Sequence, residues 1–379
     1  MIDVCVIGGG MVGAATALGL AKAGYSVLIV ENAMPAPFDS ESEPDLRVSA
    51  INMASVNLLT ELGAWSEIEA MRLHPYDSLA VWEMPTSKTV FNAKDIQAPC
   101  LGYFVENRIL QLGIHQALAC CDNVTWKQHV AVTSITLSDE SSIQFSDGEA
   151  ITCKWVIGAD GGHSATRQLV GIGVTGWQYQ QHAMGIKIKQ SHSQSITWQQ
   201  FTPTGPVAFL PLSDGYASLI WYHNAEHLQA LKGVSPEVMK SRILDAFPDL
   251  GGDFDVLEWA AFPLVRQHAN RYIDTHFALV GDAAHMINPL AGQGVNLGFK
   301  DVAELLKQCS KLGMTQRALA AYERSRKPQN LLMMSTMDVF YSVFSNAITP
   351  VKVIRNLGLS LADKAGPIKN QVLRYAMGY

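Results

Sequence analysis

Two widely separated glycine clusters carry the residues best suited to chemistry. In the first, Gly8, Gly10 and Gly13 follow the apolar run IDVCVI (2–7) at G-x-G-x-x-G spacing, with Met11 and Val12 inside the motif. Glu31 closes a later apolar run, YSVLIVE (25–31). The second cluster, GDAAHMINPLAGQGVNLG (281–298), holds Gly281, Asp282, His285 and Pro289. Gly292, Gln293, Gly294, Val295 and Asn296 then lead into a helix-like run. Glycine lets backbone N–H groups approach a phosphate, and a helix N-terminus adds unpaired donors and the positive end of its dipole. An acidic residue about twenty positions on accepts hydrogen bonds from ribose hydroxyls and repels a 2′-phosphate. This is the chemistry of holding a dinucleotide, and the first cluster suits FAD or NAD but not NADP.

The elements that must position these residues are legible in the apolar pattern. IDVCVI predicts a buried parallel strand, AATALGLAKAG a helix ending at Gly24, and YSVLIVE a second strand, which together make one β-α-β unit. Gly8 allows the tight turn, Gly10 the approach of a pyrophosphate, and Gly13 the packing of helix on strand. HFALVGDAAH (276–285) predicts another strand, and Val295, Phe299, Val302, Leu306 and Cys309 recur on one helical face. A nicotinamide dinucleotide has no need of this second strand–turn–helix. FAD does, because its ring must be held far from its adenine. Asp282 is then placed to accept from ribityl hydroxyls, and the amides of 292–296 to stabilise charge on the reduced ring. Taken alone, Asp282 reads equally as a helix cap and the glycines as a loop.

Three blocks in order, VIGGGMVGAATALGLAKAG…VLIVE, GADGGHSATR (158–167) and GDAAHMINPLAGQGVNLG, resemble the fingerprints of the single-component flavoprotein aromatic hydroxylases. APFDSESEPDLRVSAINMASVNLL (36–59), MRLHPYDSLAVWE (71–83), TWQQFTPTGPVAFLPLSDGYASLIWY (197–222) and the C-terminal tail narrow the likeness to the ubiquinone-biosynthesis hydroxylases. The resemblance implies bound FAD, transient NAD(P)H as electron donor, O2 as co-substrate and a polyprenyl benzoquinol or phenol as substrate. It also implies that a C4a-hydroperoxyflavin hydroxylates the ring. Asp160 and Arg167 match the family's middle motif, which serves FAD and NAD(P)H there. Arg47 is carried over as a contact of the flavin or its ribityl chain, and Arg108 as an FAD-contacting arginine. Arg108 also reads as a solvated residue at a helix start. Pro289 and Gly292 are the loop positions nearest the chemistry. No Ser-His-Asp type constellation is expected, and His285 reads as a structural neighbour of the flavin loop more than as a base.

The expected fold is α/β. It pairs a Rossmann-like FAD-binding domain (1–72, 101–174 and 273–345) with an interleaved α+β substrate domain (73–100 and 175–272) built mostly on an antiparallel sheet. C-terminal amphipathic helices (346–379) complete it. Trp198, Phe201, Phe209, Trp221 and Tyr222 lie on the predicted substrate strands, as pocket lining or as plain core. The tail has basic residues at 352, 355, 364, 369 and 374 against the single acid Asp363, and two apolar stripes. It suits peripheral contact with an anionic membrane or another ubiquinone-biosynthesis protein, or packing on the FAD domain.

Composition bounds the rest. The formal net charge of −6 argues against nucleic acid. Cysteines 5, 100, 120, 121, 153 and 309 form no C-x-x-C pair and no cluster at metal spacing, so no metal site is expected and the thiols read as reduced, in a cytoplasmic protein. The adjacent pair Cys120-Cys121 reads as a helix end. The uncharged stretch 4–21 is interrupted by glycines, which fits a turn better than a membrane span. The alternatives are hydroxylation at a different ring position, a flavin-dependent prenyl reductase, and a flavin-free scaffold. The W-x-W-x-I-P signature of flavin halogenases is missing.

Overall fold

A computed structural model describes residues 2–192, 194, 196–287 and 294–344, with positions 371 and 374. Pro289, Gly292, Gln293 and, apart from positions 371 and 374, the proposed helices of 346–379 lie outside the described residues. The strand Ile2–Ile7 runs parallel to Val27–Glu31 on one side and to Ala150–Gly158 on the other. Val124–Gln128 and Phe277–Leu279 extend this parallel sheet at its two ends. Val4, Val6, Ile29 and Val156 are fully buried, as strands covered on both faces require. The first helix, Met11–Lys22, is short of charge and largely buried. Gly19 gives it close contact with a second helix, Gly294–Leu312. A Cβ on Gly19 would lie 2.2 Å from a Leu306 methyl.

A second sheet of eight strands runs in the order His285–Met286, Phe254–Ala269, Val174–Gln190, Tyr216–Asn224, Gly205–Pro211, Thr197–Thr202, Ser78–Trp82 and Thr89–Asn92. Only the pairing of Thr197–Thr202 with Ser78–Trp82 is parallel. One face carries Met184, Ile186 and Ile188 at alternate positions. They pack with Trp198, Phe209 and Trp221 and with Leu228, Met239 and Ile243 of two covering helices. The aromatics Trp198, Phe209 and Trp221 are therefore core. Tyr222, also buried, packs with Tyr179, Ala183 and Leu264. The opposite face carries Gly185, which faces Leu46, and Lys187, which reaches Glu43 at 3.0 Å and Glu258 at 3.3 Å. A three-stranded sheet of Val48–Asn52, Gly102–Glu106 and His74–Tyr76 accompanies the two larger ones.

The long helix Gln316–Phe344 crosses from one large sheet to the other. Tyr322 bonds the Leu279 carbonyl at 2.8 Å, while Asp338 accepts from the Tyr179 hydroxyl and pairs with Arg266 at 2.7 Å. Cys120 caps the helix Asn107–Ala119, which ends where the sequence predicts. Among the described residues no helix is long and apolar enough to cross a membrane, and no group of three or more potential ligands is placed to hold a metal.

Candidate flavin site

The first glycine turn gives each glycine a separate constraint. Gly8 has φ +108°, and a Cβ there would lie 2.5 Å from the Ala159 carbonyl oxygen. A Cβ on Gly13 would lie 1.9 Å from the Gly8 carbonyl oxygen, so only glycine lets the helix sit this close. Gly10 has open space where its Cβ would be. It also precedes a helix with no side-chain cap and no acid in its first turn, which begins at Met11. The first N–H groups of that helix are therefore left for an outside anion. The Gly9 peptide is pinned from both sides. Its N–H donates to Glu31 Oε2 at 2.6 Å, and its carbonyl accepts from Gln111 at 3.0 Å and contacts His115 Nε2 at 2.7 Å. Because a carbonyl only accepts, His115 presents its protonated Nε2. Burial pushes the His115 ring below the ordinary histidine value, which favours the neutral form. Glu31 also accepts from the Ala33 N–H at 2.8 Å. A carboxylate has about four acceptor sites, so two remain for ribose hydroxyls.

The two glycine turns meet. Val12 sits between Gly281 and Gly298, whose Cβ atoms would lie 3.0 and 2.5 Å from its methyls. Gly281 has φ +62°, which glycine tolerates freely. Asp282 has a solvent-accessible side chain, yet it stands among enough protein that desolvation pushes its carboxyl up, with Asp301 adding to the rise and His285 opposing it. Such a recessed but reachable carboxylate can accept from a polyol chain. Gly294 and Val295 open the helix that follows, with Val295 packed against the main core. The Asn296 side chain turns inward. Its Oδ1 accepts from the Asn52 N–H at 3.1 Å and the Ser55 hydroxyl at 2.7 Å, and its Nδ2 donates to the Ala50 carbonyl at 2.8 Å. The Asn296 side chain is thus spent on protein at both ends of its amide.

The middle block joins the turns. Asp160 accepts from the Ser164 hydroxyl at 2.5 Å and the Thr166 N–H at 2.9 Å, so its carboxylate holds its own loop. Ser164 caps the short helix through the Arg167 N–H, as the sequence predicts. Arg167 is buried and donates to the Ala283 and Gly162 carbonyls at 2.7 and 3.1 Å, which fastens this loop to the second glycine turn. Arg108 fastens the loop that runs from Pro37 to Asp45. It pairs with Asp45 through Nε at 2.8 Å and Nη2 at 3.0 Å, and Nη1 donates to the Pro37 carbonyl at 2.8 Å. Arg47 is exposed, and its guanidinium has no partner among the described residues.

One cluster escapes the sequence reading. Asp301 is fully buried on the helix Gly294–Leu312. Its Oδ2 accepts from the Gly281 N–H at 3.1 Å and from His285 at 2.5 Å, and its Oδ1 from Arg326 at 2.8 Å and Asn330 at 3.1 Å. Burial alone would raise this carboxyl, but His285 and Arg326 outweigh it and hold it below the usual range. His285 is thus a partner of Asp301, in keeping with a structural role. The available signal was Asp301 lying in helical line with Gly298 and Leu305, a carboxylate on a buried stripe that demands partners.

Two glycine turns in contact, one opening an uncapped helix and the other beside a recessed carboxylate, define a flavin dinucleotide-binding protein. The FAD binding domain family matches residues 1–335, and the chain belongs to it. The chain is 44% identical to the 3-demethoxyubiquinol 3-hydroxylase of Escherichia coli, over 99% of this chain and 98% of that protein. It is 34% identical to a ubiquinone hydroxylase of Rhodospirillum rubrum, over 99% and 89%. Among solved structures, the p-nitrophenol 4-monooxygenase of Pseudomonas putida superposes with a TM-score of 0.80 at 20% identity, covering 100% of this chain and 96% of the other. This last likeness establishes the fold.

Proposed function

We propose that this chain is an FAD-dependent monooxygenase that hydroxylates the ring of a polyprenyl benzoquinol in ubiquinone biosynthesis. In the net reaction NAD(P)H, a proton, O2 and a ring C–H give NAD(P)⁺, water and a ring C–OH. The observation that carries the reading is the contact of the two glycine turns through Val12. The second turn is also in register with the substrate sheet, because His285 and Met286 pair with His268 and Gln267. The element proposed to hold the ring and the sheet proposed to hold the substrate share one hydrogen-bonded ladder.

Bound FAD supplies the redox chemistry that takes electrons from NAD(P)H and activates O2. The chain's own residues bind and orient. Gly8, Gly10 and Gly13 admit the pyrophosphate to the N-terminus that starts at Met11 and Val12, and Glu31 takes the adenosine ribose. Asp282 takes the ribityl chain, and Gly292, Gln293, Gly294, Val295 and Asn296 offer backbone N–H groups to the ring. Arg47 meets the cofactor with its free guanidinium, whereas Asp160 and Arg108 act by holding the loops that frame it. A quinol ring is activated by its own oxygens, so no protein base is assigned. The basic tail 346–379 suits contact with an anionic membrane surface, where a lipid-soluble quinol would be met, or with a partner protein. In an anaerobic mixture of FAD-loaded protein, NAD(P)H and short-chain prenyl benzoquinols, admission of air yields a hydroxylated quinol. O2 uptake separates this from prenyl reduction, and absence of any hydroxylated product across the series defeats the reading.

A further inference from the structure

Asn52 ends the strand Val48–Asn52 and caps the helix Met53–Glu61. Its Oδ1 accepts from the Ser55 N–H at 3.0 Å and lies 3.1 Å from the Ser55 hydroxyl, whose single proton goes to Asn296 Oδ1 at 2.7 Å. A backbone N–H can only donate, so the oxygen must be the atom turned to Ser55 and the NH2 the atom turned away. That side chain is 2% exposed, and Nδ2 has no hydrogen-bond partner among the described residues. Buried polar groups in folded proteins are nearly always paired, so this donor has its acceptor beyond the described residues.

The place of Asn52 says which acceptor. Its backbone N–H and the Ser55 hydroxyl both bond to Asn296 Oδ1, in the first turn of the helix Gly294–Leu312. Asn296 itself spends both ends of its amide on protein, on Asn52 and Ser55 at one end and Ala50 at the other. The strand that ends at Asn52 follows directly on Arg47, whose guanidinium is exposed and unpartnered among the described residues. A free cation and a free buried donor thus flank one short strand lying against the helix start assigned to the flavin.

We propose that the Asn52 NH2 donates a hydrogen bond to the pyrimidine edge of the bound flavin, beside the N-terminus of the helix Gly294–Leu312. This rests on the placement of the flavin ring at that helix. Negative charge gathers on the pyrimidine edge when the ring is reduced, so a fixed donor there favours the reduced cofactor over the oxidised one. Asn52 is a positioning and tuning residue for the flavin, and the oxygen atom that reaches the substrate never passes through it.

The test is the midpoint potential of the FAD-loaded protein, read against a reference dye, for wild type, Asn52→Ala and Asn52→Asp. If the donor favours the reduced ring about tenfold, Asn52→Ala lowers the midpoint by about 30 mV for a two-electron couple. Asn52→Asp keeps the oxygen that caps Ser55 but replaces the donor with charge, so it lowers the potential further. Unchanged potentials in both variants, with FAD still bound, overturn the assignment and leave the FAD site intact. A wild-type protein that binds no FAD overturns the flavin reading and this inference together. A shifted potential in a protein that yields no hydroxylated quinol supports the inference and defeats only the substrate.

Discussion

At the residue scale, Gly10 and Gly13 separate binding from folding. A Cβ on Gly10 meets no protein atom within 4 Å, whereas one on Gly13 would overlap the Gly8 carbonyl oxygen at 1.9 Å. Gly10→Ala therefore keeps the melting temperature of the apoprotein and loses most of its affinity for FAD, because the methyl occupies the phosphate's place. Gly13→Ala lowers the melting temperature and is purified colourless. Thermal unfolding of the apoproteins and flavin titration check both expectations. These glycines, Glu31 and Asp282 stood out in the sequence because local spacing alone marks them as candidates. Gln111 and His115, which pin the Gly9 carbonyl, were not. They come from a helix about a hundred residues on, and nothing in their own neighbourhood announces a partner.

At the element scale, the helix Gly294–Leu312 is fastened to its surroundings at Asp301. Asp301→Ala leaves Arg326 and His285 buried without their carboxylate and the Gly281 N–H without its acceptor. Removing one partner of a buried pair costs about 3–5 kcal/mol, and denaturant unfolding of the variant should register that loss. Because Gly281 precedes Asp282, flavin affinity should fall as well. The apolar stripe of this helix was readable as a 3.6-residue period, and Phe299, Val302 and Cys309 are indeed buried. The strands of the antiparallel sheet were readable too, but their aromatics were not assignable. Alternation shows that Trp198, Phe209 and Trp221 share a character, not which face of the sheet is covered by helices.

At the scale of the whole molecule, the helix Gln316–Phe344 ties the parallel sheet to the antiparallel one through Tyr322 at one end and Asp338 at the other. Between them lies a buried polar chain in which His268 contacts the Tyr272 hydroxyl at 3.0 Å and Asn330 bonds the same oxygen at 3.2 Å. Burial, with His285, Lys327 and Arg266 adding like charge, pushes the His268 ring down to about 4. Below about pH 6.5 the unfolded chain takes up a proton that the folded chain refuses. Stability is therefore lost as pH falls from there to about 4, and His268→Gln should flatten that part of a plot of melting temperature against pH. The α/β class and the flavin fold were legible because two β-α units carry their own signals. The buried chain was not, since its members lie far apart in sequence and are joined only by the packing of the two sheets.

The central claim is that this chain places one atom of O2 on a prenylated quinol ring at its bound FAD. The most direct measurement supplies FAD-loaded protein and NAD(P)H with a short-chain prenyl benzoquinol under heavy-isotope oxygen, followed by mass spectrometry of the quinone product. The account predicts a product carrying one heavy oxygen on the ring, dependent on FAD and lost with Gly10→Ala. Oxygen consumed only to hydrogen peroxide, with the ring unlabelled, would contradict it.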